Sequence, residues 1–224
     1  MSMLTNLDLI RRVPLFAMLT PSQAESLAGA VSKRRFKRGE NLVEQGKKCE
    51  SLYILLAGRA RVVVTDSRDR EVILATMHPG DYVGEMSLID NEPHSATVEA
   101  EVQTDALVLG GAQFNRCLQE NSSTVAAVMK GLVQRLRSAD RKIESLALMN
   151  VYGRVANVLM ESAPADENNE RIIRDKISRQ DIAKMVGASR EMVSRVMKDF
   201  EEQGFVETRD DGSLVIKDRR LRPR

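Results

Sequence analysis

The chain has 224 residues, 42% of them apolar, few aromatics and a formal net charge of +2. That composition suits one large core or two modest ones, and the charge is too small to announce a polyanion partner, so a nucleic-acid reading must rest on local pattern. No run of about 18 uncharged apolar residues occurs and the amino terminus lacks the order of a signal peptide, which predicts a cytoplasmic protein with no membrane partner.

The two cysteines, Cys49 and Cys117, lie far apart and outside CxxC spacing, so they predict packed, reduced thiols rather than a disulfide framework, a zinc site or an iron–sulfur site. In chain order, the first predicted element is a short helix in "TPSQAESLAGAV", with Thr20 as N-cap, Pro21 at the first helical position and Gln23 completing a capping box. From "RRFKRGENLVEQG" to "SATVEAEVQTDALVLGG" apolar residues alternate in short runs punctuated by glycine turns, which predicts a β-barrel or jelly roll.

A long helix follows. Val125, Met129, Leu132, Leu136, Ala139, Ile143 and Leu146 alternate in steps of four and three, the spacing of a coiled-coil seam. With Leu132 at a d position, Arg135 falls at g and Asp140 at e, so Arg135 could meet Asp140 of a second copy in a parallel homodimer. The competing reading is an amphipathic helix lying on its own barrel.

Asn150 can cap the next helix, "VYGRVANVLMESA", which stops before the polar loop "PADENNE". Then come a short strand in "RIIRDKI", a helix capped by Ser178, a turn at "GAS", a second helix capped by Ser189, and two strands around an Asp-Gly turn. This order is a winged helix-turn-helix. The fold class predicted is therefore α+β in three parts: a β-roll over 1–112, a dimerisation helix over 113–149 and a DNA-binding domain over 150–224.

The second helix carries the chemistry of base reading. Arg190, Glu191, Ser194 and Arg195 share its first exposed turn and a half, where arginine can grip guanine O6 and N7 and glutamate can accept from cytosine N4. Met192, Val193, Val196 and Met197 are expected to pack inward. Ser178, Arg179, Gln180 and Ser189, at the starts of the two helices, are placed to touch phosphate.

These residues carry a resemblance. "SRQDIAKMVGASREMVSRVMKDFEEQGFV" resembles the DNA-reading element of the cyclic AMP receptor protein superfamily, which includes the fumarate-nitrate oxygen sensor. "RGENLVEQG", "LYILLAGRARV", "HPGDYVGEMSLIDNEPHSATV" and the long helix resemble its cyclic-nucleotide-binding β-roll and dimer helix. The similarity runs over nearly the whole chain. It implies a homodimeric transcription regulator that reads a palindrome with TGTGA-like half-sites and works with RNA polymerase.

Departures from the family pattern narrow the effector. The amino-terminal cysteine cluster of the oxygen sensor is absent, and His78 and His94 are the only histidines available as haem ligands, so neither an iron–sulfur cluster nor haem is expected. The resemblance places Gly84 at a close backbone approach, Glu85 at the ribose hydroxyl and Ser95 and Ala96 at the cyclic phosphate. His94 stands where the family has an arginine, and Ala139 and Asp140 stand where it has a Thr-Ser pair against adenine. A neutral histidine cannot reproduce a bidentate guanidinium. A carboxylate accepts from guanine N1 and N2 and has no proton to donate to adenine N1 or N7. The implied effector is a cyclic nucleotide, cyclic di-GMP or cyclic AMP, with an empty vestigial pocket as the alternative. An enzyme finds no support, since GxxxxGK, GxSxG and HExxH are all missing.

Overall fold

The computed structural model describes residues 5–48, 50–163, 171–174, 177–209 and 211–217. Cys49, the "PADENNE" loop and parts of the predicted strands at Asp175, Lys176, Asp210 and Asp218 lie outside the described residues. The chain divides into two compact units, Met1–Leu136 and Arg137–Arg224.

The first unit opens with two short helices, α1 (Asn6–Arg12) and α2 (Pro21–Ala30). Thr20 accepts from the Gln23 backbone and Gln23 reaches back to the Thr20 backbone, so the capping box forms as the sequence predicts. Eight strands follow: β1 (Val31–Phe36), β2 (Asn41–Val43), β3 (Ser51–Ala57), β4 (Ala60–Thr65), β5 (Glu71–Met77), β6 (Tyr82–Val83), β7 (Thr97–Ala100) and β8 (Thr104–Gly110). They form two four-stranded sheets, ordered β1-β8-β3-β6 and β2-β7-β4-β5, with antiparallel pairing throughout. This is the predicted roll.

Strand alternation sorts the core into two layers. Phe36, Leu55, Ala60, Met77, Val98 and Ala106 form one cluster of the roll. Leu52, Ile54, Leu107 and Leu109 form another with Ile10, Phe16 and Leu27 of the amino-terminal segment and with Phe114, Cys117 and Val128 of the helices after the roll. Cys117 is a buried free thiol, and burial pushes its pKa up.

After the roll the helix is not continuous. Helix α4 (Gly111–Glu120) ends at Asn121, which takes extended backbone and whose side chain donates to the Cys117 carbonyl. Helix α5 then runs over Ser122–Leu148. A six-residue helix, α3 (Glu85–Asp90), interrupts the second half of the roll.

The second unit contains α6 (Val151–Ser162), β9 (Arg171–Ile173), α7 (Arg179–Val186), α8 (Arg190–Glu202), β10 (Val206–Thr208) and β11 (Leu214–Ile216). Asn150, Ser178 and Ser189 each accept a backbone N–H at an N-cap, as the sequence predicts. The three strands form one sheet, β10-β11-β9. Ile182, Val186, Val193, Val196, Met197 and Phe200 close the core, with the Phe200 ring edge-on to Tyr152 at 4.8 Å and to Phe205 at 5.0 Å. No helix among the described residues is long and apolar enough to cross a membrane.

Candidate functional site

In the first unit Gly84 and Glu85 sit where β6 turns into α3, and His94 meets α3 through Ser87, whereas Asp140 lies on α5 beyond that unit's end. Gly84 caps α3 with a φ of 104°, a left-handed conformation that a side chain resists, and so lets the chain turn sharply into Glu85. Glu85 is 1% exposed. One of its carboxylate oxygens meets Arg135 of α5, and the other, Oε2, is buried with no hydrogen-bond partner. Burial raises the Glu85 pKa, against the pull of the Arg135 cation.

Arg135 also donates to the Tyr82 carbonyl and lies 5.2 Å from the centre of the Tyr82 ring. Glycine at 131 lets that ring sit against α5, because a Cβ there would collide with the Tyr82 hydroxyl. Arg135, expected at a g position reaching toward a partner's Asp140, is thus engaged within its own chain. The pairing joins residues 50 positions apart, a distance that local patterning does not report.

His94 departs further from expectation. Its backbone is fixed by hydrogen bonds from His94 N to the Lys47 carbonyl and from Gly46 N to the His94 carbonyl. Its ring is buried, with Nδ1 3.2 Å from the Ser87 hydroxyl of α3. Only Nε2 is left to meet a phosphate, so the site lacks the bidentate cation of the family pattern. Ser95 is exposed and Ala96 half-buried on the approach to β7. The orphaned Glu85 oxygen can accept from a hydroxyl, and His94, Ser95 and Ala96, which the resemblance sets against a phosphate, include no guanidinium.

Burial holds the His94 pKa below its ordinary value of 6.5. Between that folded value and 6.5 the unfolded chain binds a proton that the folded chain does not, so His94 makes stability fall as pH drops below 6.5. Glu85 acts with the opposite sign, because its raised pKa gives stability that is lost as pH rises through the folded value. Urea midpoints measured at about pH 7.5 and about pH 5.5 should therefore fall less for His94→Asn than for the unmodified protein. An equal fall in both would show that the imidazole does not contribute.

On α5, Met129, Leu136, Ile143 and Leu146 are exposed at 60%, 62%, 64% and 56%, and Ala139 and Asp140 are exposed with them. Val125 is half-buried. Leu132 is a correction: it packs against the core of its own roll, and Val133, absent from the predicted seam, is exposed in its place. The exposed stripe is Met129, Val133, Leu136, Asp140 and Ile143, which puts Asp140 within the stripe instead of beside it.

In the second unit Arg190, Glu191, Ser194 and Arg195 are all exposed on the opening turns of α8. The Glu191 pKa is lowered, chiefly by its own backbone N–H and then by Ser189, leaving an ionised acceptor at neutral pH. Ser194 gives its hydroxyl proton to the Arg190 carbonyl at 2.8 Å, so toward a base it acts as an acceptor. Met192, expected to pack inward, is instead 41% exposed, whereas Val193, Val196 and Met197 are buried.

The predicted phosphate contacts are less free. The Ser178 hydroxyl accepts from Asp181 N and donates to the Asp181 carboxylate at 2.6 Å. Arg179 is half-buried and its guanidinium lies 3.3 Å from Glu201 of α8. Gln180 is exposed, and Ser189 accepts from Met192 N.

Residues 33–121 match the cyclic nucleotide-binding domain and residues 153–221 match the Crp-like helix-turn-helix domain. The cAMP-activated global transcriptional regulator Vfr of Pseudomonas aeruginosa is 31% identical over 198 residues, covering 86% of this chain and 92% of that protein. The cAMP-activated global transcriptional regulator CRP of Salmonella typhimurium is 30% identical over 175 residues, covering 77% and 83%. Among solved structures, the c-di-GMP-responsive global regulator CLP of Xanthomonas campestris superposes with a TM-score of 0.75 at 23% identity, over 88% of this chain and 98% of that one, a likeness of fold.

Proposed function

Because the chain belongs to the CRP/FNR family of transcription regulators, we propose that it acts as a homodimer whose paired α8 helices read a palindromic operator and whose roll responds to a cyclic nucleotide. The family consists of regulators and the chain is one, not an enzyme. The observation that carries the reading is the opening of α8. Arg190, ionised Glu191 and Arg195 stand exposed on a helix whose buried face is fully used by the core behind it. The resemblance of these three residues to the family's base-reading set supports a TGTGA-like half-site and, with it, RNA polymerase as the proposed partner. Replacing Arg190 by alanine should cost about 1–3 kcal/mol at one G·C pair and relax specificity there, read by equilibrium binding to operators varied at that pair. Uniform weakening on every sequence would reduce Arg190 to a phosphate contact.

The effector reading rests on Glu85, His94 and Asp140. Buried Glu85 with a free oxygen supports a ribose contact. Ser95 and Ala96 would supply a hydroxyl and an N–H to a phosphate, and His94 would supply no charge. Vfr and CRP are cAMP-activated and CLP is c-di-GMP-responsive. The missing guanidinium and the exposed Asp140 carboxylate favour cyclic di-GMP over cyclic AMP here. A second reading, a regulator that works with its cradle empty, is favoured by Arg135, which already occupies one Glu85 oxygen.

Calorimetry with cyclic AMP and cyclic di-GMP separates these readings. The unmodified protein is expected to bind cyclic di-GMP more tightly than cyclic AMP, and His94→Arg is expected to strengthen cyclic AMP binding by about tenfold. Tight cyclic AMP binding by the unmodified protein would overturn the preference. Binding of neither, with operator affinity intact, would favour the empty cradle.

A further inference from the structure

Met192 is the one apolar side chain of α8 that the sequence pattern assigns to the core and the structure leaves in solvent. Its location gives the exposure a meaning that a lone surface methionine lacks. It occupies the third position of α8, its N–H held by the Ser189 cap at 3.2 Å, between Glu191 and Arg195 along the chain. Helical side chains lean toward the amino terminus, so the thioether covers the end of α8 that carries the base-reading groups. The buried face of the helix is Val193, Val196, Met197 and Phe200. At 100° per residue Met192 falls about a quarter-turn from the centre of that face, on the same flank as Arg195. Arg190 and Ser194 lie on the opposite flank.

In the major groove the apolar group that a base edge offers is the C5-methyl of thymine. An unbranched thioether with three rotatable bonds can follow that methyl without a fixed hydrogen-bond geometry. We propose that Met192 is a specificity-determining residue of the DNA surface, its side chain packing on the C5-methyl of one thymine in each half-site. This rests on the DNA-binding reading above and adds an apolar contact to its polar ones.

The test uses the full-length protein and an operator selected from a randomised palindromic library. Each thymine of the half-site is replaced in turn by deoxyuridine, which removes the methyl and leaves every hydrogen-bonding group in place. One position should weaken binding by about fourfold, the scale of one buried methyl-sized group. Met192→Ala should abolish that sensitivity, and Met192→Leu should keep most of it. Met192 is exposed, so neither change removes a core side chain. Indifference to deoxyuridine at every thymine, or equal sensitivity in Met192→Ala, would overturn the proposal while the DNA-binding reading stands. Failure to select any operator would overturn both.

Discussion

Glutamate in place of both Leu136 and Ile143 is expected to leave a monomer whose operator affinity has fallen by about a hundredfold or more, the scale lost when two linked half-site contacts become one. These side chains are 62% and 64% exposed on a single chain. Covering each by a second copy contributes about 1.5–3 kcal/mol. The double variant removes that contribution twice per chain and places four carboxylates in one seam. Leu132→Glu is the contrasting control. Leu132 packs on its own roll, so the charge there should lower the unfolding midpoint of the first unit rather than act through the seam. Sedimentation velocity showing the Leu136/Ile143 variant still dimeric would place the interface elsewhere.

The second large effect is expected at Arg135. Replacing it by alanine leaves Glu85 buried with neither oxygen paired to a cation, and breaking a buried pair from one side is far more costly than replacing both partners. Because the Arg135 side chain is 43% exposed and solvent screens the pair, the low end of the usual range applies, about 3 kcal/mol at neutral pH. The loss should shrink on acidification. Without the cation the Glu85 pKa rises further, and protonation removes the stranded charge. Adding Glu85→Gln to Arg135→Ala should recover much of the lost stability, as measured by urea unfolding of the four proteins of the cycle. Independent, additive effects would mean that the contact carries no coupling energy.

Much of this architecture was legible because its signals are local. The caps at Thr20, Asn150, Ser178 and Ser189 depend on neighbours within three residues and form as read. The break at Asn121 was not read, although an Asn-Ser-Ser run is itself a helix-boundary signal. The α5 register failed by one residue at Leu132 because two faces of the helix are apolar. One lies on the roll and the other is exposed, and the step of three or four from Met129 fits either. Met192 was misplaced for a related reason: the buried face of Val193, Val196, Met197 and Phe200 leaves position 192 about a quarter-turn from its centre, and an apolar residue at that edge can face either way. The Ser87–His94 contact spans seven residues and the Glu85–Arg135 contact fifty; the family resemblance had marked Glu85 and His94, but local pattern reported neither pairing.

The central claim is a paired reader of a palindrome. Two α8 helices related by a two-fold axis should favour half-sites whose centres lie one helical turn apart, about 34–36 Å or about 10 base pairs. Affinity measured at fixed salt on operators with the same half-sites and spacings stepped one base pair at a time should peak at that separation. It should fall by about a hundredfold or more at a half-turn offset, where the second helix faces the wrong side of the duplex. Equal affinity at every spacing, matching that of an isolated half-site, would contradict the account.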